Sequence, residues 1–182
     1  MIQWLFRIID GFRNALVVLG EPWALDRIVK LMGMYSWENW PNFFPVSFHR
    51  IPTSENILLL DCDEFTIISS PVHHLIPTIG LRFEFKDNNK VLAYSCDTEP
   101  CAEVVRLASG ADVLIHEASG ASLGHSSAEQ AGQVAAQAEV GKLYLIHYPT
   151  GDYTNGNMLT EARRHFQGEV ELAKDFMILD FS

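Results

Sequence analysis

Four residues in the second half of the sequence carry side chains that metal-dependent chemistry uses, and each lies beside an apolar run. They are His74 in SSPVHHLIPTIGLRFE, Asp97 in VLAYSCDTEPC, His125 in GASLGHSSAEQA and His147 in LYLIHYPTGDY. Neutral imidazoles and carboxylates are ligands that zinc and similar ions accept. Taken singly, each also has an ordinary structural explanation, because an aspartate can cap a helix and a histidine at a strand end is more often hydrogen-bonded structure than a ligand.

The order of predicted elements places these residues at strand ends. After residue 97 the pattern alternates between helices in EPCAEVVRLASG, SSAEQAGQVAAQAEVG and NMLTEARRHFQG and strands in ADVLIHE, KLYLIHY and FMILDF. Asp97, His116 and His147 lie at the ends of apolar strands, where sheets covered by helices build ligand sites. His125 precedes a predicted helix start, where the spacing of Ser126 and Glu129 fits a capping box. Free N–H groups at such a start favour an anion.

The first half predicts a mixture of helices and strands. Helices are predicted for residues 2 to 12 and from Glu21-Pro22 to about 33, and strands for 15 to 20, 45 to 51, 56 to 61, 65 to 71, 80 to 85 and 90 to 96, the last two joined by a hairpin turn at 86 to 89. No repeat, low-complexity tract or linker divides the sequence. We therefore predict one α/β domain over residues 1 to 182.

Composition limits the class of function. The chain has 182 residues, 48% of them apolar, and a formal net charge of −10. That charge repels phosphate backbones and favours a small, metal-held anionic substrate. Arg7, Asp10 and Arg13 interrupt the apolar N-terminus, so neither a signal peptide nor a membrane span is expected. Three cysteines, an odd number without zinc-knuckle spacing, predict reduced thiols in the cytoplasm.

The set of segments resembles the later motifs of the metallo-β-lactamase fold, in its ribonuclease Z and arylsulfatase-like branch. The matching segments are P-V-x-H-x-x-x-x-x-G-x-R at Pro71 to Arg82, Y-S-G-D-T-x-P-C at Tyr94 to Cys101, I-H-E-A at Ile115 to Ala118, G-H-S-[ST]-A at Gly124 to Ala128, and a strand ending in His147. The resemblance is loose over the whole chain and good over residues 71 to 150. It implies an αββα sandwich, of which this chain holds mostly the later part.

The resemblance also implies roles for the candidate residues. His74 would bind one of two zinc ions, His147 the other, and Asp97 would bridge them, with manganese or iron as other metals. A metal-bridging hydroxide would be the nucleophile. His125 would contact a substrate oxyanion and protonate the leaving group. His116 and Glu117 would orient the ligands, although for His116 a purely structural role is equally expected.

The family's first metal-binding motif, H-x-H-x-D-H, is absent from the sequence. Two tetrahedral ions offer about eight coordination positions, and the residues above with a bridging hydroxide leave about two of them empty. One ion or none is therefore also open. The helix and short strand that follow the motif in this fold match residues 2 to 20, so we hypothesise an N-terminally truncated chain that starts at an internal methionine.

Two departures concern substrate and local geometry. Only residues 75 to 96 separate His74 from Asp97, whereas ribonuclease Z carries a long tRNA-gripping arm there, so a small phosphodiester or other small ester is expected rather than tRNA. Cys96 replaces a family glycine whose position can require a positive φ.

Two other interpretations stay open. The chain could be a half-domain without catalysis that binds another chain, a homodimer included, and this interpretation expects apolar surface along the N-terminal strands. It could instead hold a single ion on His74, Asp97 and His147 with water.

Overall fold

A computed structural model of the chain describes residues 15–40, 44–150 and 157–179. The chain divides into two compact units, Met1–Pro52 and Thr53–Ser182. The helix predicted for residues 2 to 12 lies outside the described residues. Within the described ranges, every helix is too short or too polar to cross a membrane.

The described residues of the first unit form two strands, with an α-helix and a short 3₁₀ helix between them in the chain. Its elements are β1 (Leu16–Gly20), α1 (Pro22–Gly33), a 3₁₀ helix (Trp37–Asn39) and β2 (Val46–Arg50). β1 and β2 pair in parallel. The Glu21 carboxylate accepts a 3.0 Å hydrogen bond from the backbone N–H of Trp23, and Pro22 occupies the first helical turn, where its missing N–H costs nothing. The predicted strand, helix and second strand are confirmed.

The second unit is built on one sheet of seven strands in sequence order. Its elements are β3 (Ile57–Asp61), β4 (Phe65–Val72), β5 (Thr78–Phe85), β6 (Val91–Tyr94), α2 (Ala102–Ala108), β7 (Val113–Glu117), α3 (Ala128–Gln137), β8 (Lys142–Ile146), α4 (Asn157–Ala162) and β9 (Glu169–Leu172). β3 to β6 pair antiparallel, with a turn at residues 86–88 in the predicted hairpin. β6 to β9 pair in parallel. Because a helix connects each parallel pair, β6, β7 and β8 end at the same edge of the sheet.

Apolar side chains between the helices and the parallel strands form the core of this unit. Leu114 on β7 and Leu143 and Leu145 on β8 are fully buried. The facing side of α3 buries small residues, including Ala131 and Ala135, and these allow a close approach of the helix to the strands. The sheet edge that carries the polar residues is therefore backed by a well-packed layer.

Arg82, the last residue of the first matching motif, joins the antiparallel part of the sheet to α2. Its Nη1 donates hydrogen bonds to the carbonyls of Leu107 at 2.9 Å and Ser109 at 3.0 Å. These carbonyls end the helix and have no partner within it. Arg82 therefore stabilises the end of α2 by a cationic cap.

Two expectations from the sequence are wrong. The capping box uses Ser127 and Gln130 rather than Ser126 and Glu129: Ser127 Oγ accepts from the Gln130 N–H at 3.2 Å, and Gln130 Oε1 accepts from the Ser127 N–H at 2.8 Å. Ser126 is buried, and its hydroxyl donates to the Thr98 carbonyl at 2.7 Å. The capping-box spacing fits both serines. Ser126 cannot cap the helix, however, because it is buried with its hydroxyl bonded to Thr98.

The closing strand predicted in FMILDF is also wrong over its described part. Residues 176–179 form no strand; Phe176 has a left-handed φ of 62° and is fully exposed. The last described strand is β9, whose Glu169 and Glu171 lie 3.1 and 2.6 Å from Lys142 Nζ on β8. An apolar run predicted the strand, whereas cross-strand charge pairs accompany the one that forms.

Candidate metal centre

Three polar side chains meet where the parallel strands end. Asp97 follows β6, Glu117 is the last residue of β7, and His147 directly follows β8. His147 Nδ1 lies 2.9 Å from Asp97 Oδ1, although 50 residues separate the two in sequence. The parallel register brings the strand ends together, as the sequence pattern predicted.

Two loops add one histidine each. His74 follows β4, and its Nδ1 lies 2.7 Å from the Gly124 carbonyl. His125 is the next residue after Gly124, and its ring centroid lies 4.8 Å from that of His74 and 5.6 Å from that of His147. Gly124 has a φ of +80°, and a Cβ there would lie 2.9 Å from His74 Nδ1. Only glycine allows this loop to approach the histidine so closely.

The four residues predicted to form the site therefore converge. The ligand atoms of His74, Asp97 and His125 lie within 4.8 Å of one another, and those of Glu117, His125 and His147 form a second such group. His125 belongs to both groups. A set of imidazoles and carboxylates at this spacing has the chemistry that zinc, manganese or iron accepts.

Glu117 is the electrostatic centre of the site. Its side chain is 1% exposed, and its carboxylate accepts hydrogen bonds from five donors. Oε1 accepts from Thr98 N at 3.2 Å, Ser126 N at 2.8 Å and His125 Nδ1 at 3.1 Å, and Oε2 accepts from Ser119 N at 2.8 Å and Ser119 Oγ at 3.1 Å. Donors on both oxygens compensate the burial of the charge. Glu117 thereby contacts His125 through Nδ1, so that Nε2 is the ring nitrogen on the side away from the carboxylate.

His116, the neighbour of Glu117, points away from this network. Its side chain is fully buried, and burial lowers its pKa from the usual value. Nδ1 lies 2.8 Å from the Glu117 carbonyl, and Nε2 has no hydrogen-bond partner among the described residues. The one described hydrogen bond of the ring therefore joins it to backbone and not to His74, Asp97 or His147. The ligand-orienting role expected for His116 stays a prediction.

The backbone beside the metal-binding candidates is left-handed at two non-glycine residues. Cys96 has a φ of 53° and His147 a φ of 54°. Non-glycine residues occupy this region uncommonly, and the tertiary structure must hold them there. The replacement of a family glycine by Cys96 thus falls on a position with a positive φ. Burial also raises the pKa of the Cys96 thiol to about 11, which keeps it protonated at neutral pH.

An open groove of about 620 Å³ adjoins His125. Its lining is mostly polar and neutral, with Ser122, Gln130 and Gln133 beside the carboxylate of Glu99. None of the described residues that line it is lysine or arginine. Leu123, which is 76% exposed, stands between this groove and a smaller cavity at His74.

Sequence and structure comparisons agree on one superfamily. Residues 24–148 match the model of the beta-lactamase superfamily domain. The chain is 34% identical over 149 residues to ribonuclease Z of Mycobacterium sp. (strain KMS), an alignment that covers 72% of this chain and 50% of the relative. The chain spans 30% to 50% of the length of the first three curated relatives it matches.

Solved structures match over more of the chain. The metallo-β-lactamase fold protein YhfI from Bacillus subtilis has a TM-score of 0.72 and 24% identity, covering 93% of this chain and 66% of that one. The short form of human tRNase Z has a TM-score of 0.68 and 21% identity, covering 94% and 70%. These likenesses show the shared α/β fold with its large sheet. The match to the superfamily domain over residues 24–148, more than half of the chain, shows that the chain belongs to the metallo-β-lactamase superfamily.

Proposed function

We propose that this protein is a metal-dependent hydrolase that cleaves a small ester in the manner of a phosphodiesterase. The observation that carries the proposal is the convergence of His74, Asp97, His125 and His147 at one edge of the sheet, with Asp97 and His147 in direct contact at 2.9 Å. These residues come from four separate segments, and convergence of this kind is what a built site requires.

The metal would be held by His74, Asp97 and His147, with zinc as the best match to the donor types and manganese or iron as other candidates. Bound there, a metal ion would polarise the ester and lower the pKa of a water to about 7. Support for this assignment comes from the positions of the three donors, since each of them follows a strand of the large sheet. One or two ions per chain are both consistent with the proposal.

His125 would bind the substrate and donate a proton to the leaving group. Because Glu117 Oε1 accepts from Nδ1 at 3.1 Å, the proton to be transferred belongs on Nε2. The buried carboxylate also fixes the plane of the ring, so that the same nitrogen always faces the centre. Glu117 is then a positioning residue.

The groove beside His125 favours a small substrate. Proteins bind an RNA backbone through lysine or arginine side chains at the phosphates. The described lining of this groove contains neither residue type. The net charge of −10 opposes a polyanion further. The curated relatives are named ribonuclease Z, which points to RNA for those proteins, so a tRNA substrate is the alternative that the assay must include.

A second candidate is a binding module without catalysis. The observation that favours it is the exposed apolar surface of β1, where Val17 and Leu19 are 54% and 44% exposed. Parallel strands usually have both faces covered. A second copy of this chain or another protein would cover this surface in that case. A cytoplasmic location, suggested by the three free cysteines, belongs to either proposal.

Metal content and phosphodiester hydrolysis together test the proposal. The purified chain, loaded with zinc and freed of excess, should retain at least one equivalent more than Asp97→Ala retains after the same treatment, and it should hydrolyse bis(p-nitrophenyl) phosphate. Asp97→Ala should reduce the rate at least about 100-fold, because it removes a metal ligand, whereas Asp87→Ala, in the exposed turn between β5 and β6, should leave it unchanged. Wild-type chain that retains no more zinc than Asp97→Ala and has no activity on this ester or on a tRNA precursor would favour the binding module.

A further inference from the structure

A second cluster of metal-binding side chains lies outside the centre described above. It consists of His73, Cys101 and Glu103, whose ligand atoms all lie within 4.8 Å of one another. His73 Nε2 is 3.4 Å from Glu103 Oε2. None of the three has a part in the proposed hydrolysis.

The spacing suits one small ion. Bond lengths of 2.0 to 2.3 Å in tetrahedral zinc sites place neighbouring ligand atoms about 3.3 to 3.8 Å apart. The His73 to Glu103 separation of 3.4 Å already lies in that interval, and the separations from the Cys101 sulfur are at most 4.8 Å. The His73 side chain is 61% exposed and therefore has room to move toward an ion. The set of one thiol, one imidazole and one carboxylate favours zinc over magnesium or calcium.

The backbone around the cluster is well fixed. His73 N donates to Thr98 Oγ1 at 3.1 Å, and the His73 carbonyl accepts from Glu99 N at 2.7 Å. Cys101 directly precedes α2, and Glu103 is in its first turn. The ligands therefore need little ordering of the chain on binding, which lowers the entropic cost.

The other contacts of Glu103 and Cys101 leave their ligand atoms accessible to an ion. Arg106 contacts Glu103 through Oε1 at 3.2 Å, while Oε2 faces His73. The Cys101 sulfur has a weak contact with Thr98 Oγ1 at 3.8 Å, and its thiol also hydrogen-bonds to the Glu103 carboxylate. An ion would therefore replace the contacts that His73 and the Cys101 thiol make with Glu103, and it would leave the Arg106 contact in place.

We infer that His73, Cys101 and Glu103 form a separate zinc site, with water in the fourth position. On binding, the Cys101 thiol loses its proton to solvent and the thiolate coordinates the ion. The bound ion would join the segment after β4 to the start of α2. Because His73 and His74 are neighbours, the same ion would restrain the backbone that carries a ligand of the proposed catalytic centre.

Cobalt(II) distinguishes this site from that centre, because a thiolate bound to cobalt gives a charge-transfer absorption in the near ultraviolet and imidazoles and carboxylates do not. Titration of the metal-free full chain should give this band, saturating at one thiolate-bound cobalt per chain, and zinc should remove it. Cys101→Ser should abolish the band, and the matched variants Cys62→Ser and Cys96→Ser should retain it. The result is independent of whether the proposed function is right.

His73→Ala provides the second variant, since the exposed side chain contributes little to folding. Loss of an outer-shell partner already weakens metal sites about 10- to 100-fold, so loss of this ligand should weaken the cobalt affinity read from the band about tenfold or more. Absence of the band in the wild-type chain, or its persistence in Cys101→Ser, would overturn the inference. So would loss of the band in Cys96→Ser alone, which would assign the sulfur to the neighbourhood of Asp97.

Discussion

The buried carboxylate of Glu117 makes a sharp prediction about stability. In Glu117→Gln, one oxygen becomes an NH₂ group, which cannot accept hydrogen bonds. The better orientation leaves the amide oxygen facing the three donors on the Oε1 side, and it leaves Ser119 N without the acceptor that now lies at 2.8 Å. The alternative orientation leaves two backbone groups, Thr98 N and Ser126 N, without an acceptor, which costs more free energy.

The magnitude follows from these contacts. A partly buried N–H left unsatisfied costs about 1 to 3 kcal/mol, and three charge-assisted bonds that become neutral lose up to about 1 kcal/mol each, partly offset because a neutral amide is easier to bury. We expect Glu117→Gln to lower the free energy of unfolding by about 2 to 4 kcal/mol. Ser119→Ala, which removes only the 3.1 Å hydroxyl bond to Oε2, should cost about 1 kcal/mol or less.

Urea denaturation followed by circular dichroism measures the global effect, and amide hydrogen exchange locates it. Exchange in Glu117→Gln should accelerate most at Ser119, while Ser126 keeps an acceptor. The reasoning would be refuted if the glutamine variant were no less stable than Ser119→Ala, or if Ser119 exchanged at the wild-type rate. The first result would mean that the carboxylate charge contributes nothing to the network, and the second that Ser119 N keeps an acceptor in the variant.

Three further predictions rest on other parts of the structure. Gly132→Ala should destabilise the protein by about 1 to 3 kcal/mol in urea denaturation, although alanine favours helices, because the new Cβ would lie 2.2 Å from the Ala162 carbonyl oxygen and 2.8 Å from its Cα. Gly33→Ala, whose Cβ would enter open space beside its own helix, should not. Arg82→Lys should lower the unfolding free energy by about 1 to 2 kcal/mol, since one ammonium cannot keep both the two Nη1 bonds to the carbonyls at the end of α2 and the 2.7 Å Nε bond to Glu84. An unchanged midpoint would contradict this. Burial lowers the pKa of His116 in the folded state, so as the pH falls the unfolded chain protonates His116 before the folded chain does. The free energy of unfolding is therefore unaffected by His116 above about pH 6.5 and decreases below it by at most about 1.4 kcal/mol per pH unit. His116→Gln should flatten that acid-side slope, and an identical slope in both proteins would exclude His116 as its source.

Local patterns predicted most of the second unit. Apolar runs bounded by turns predicted β4 to β8, and apolar residues at helical spacing predicted α2 and α3. These predictions succeeded because the buried face of a strand or helix recurs with a fixed period along the sequence. The end of the chain was harder to predict. The apolar FMILDF run predicted a strand, yet its described residues 176–179 form none, and the last described strand is β9, beside Lys142. Periodicity does not reveal which of two neighbouring segments finds a partner.

The sequence could predict that Asp97 and His147 lie near one another, since both follow parallel strands and such strands end at one edge of the sheet. The structure alone decided which groups contact them, because those contacts depend on distant backbone segments. Nothing local to Glu117 indicates that donors from residues 98, 119, 125 and 126 converge on it. In the same way His73 and Cys101, 28 positions apart in a sequence without zinc-knuckle spacing, become neighbours only because the end of β4 lies beside the start of α2. The sequence by itself determined the superfamily and the residue types of the site; the packing of loops against strand ends decided their partners, since hydrogen bonds between distant segments form only when the core fixes both.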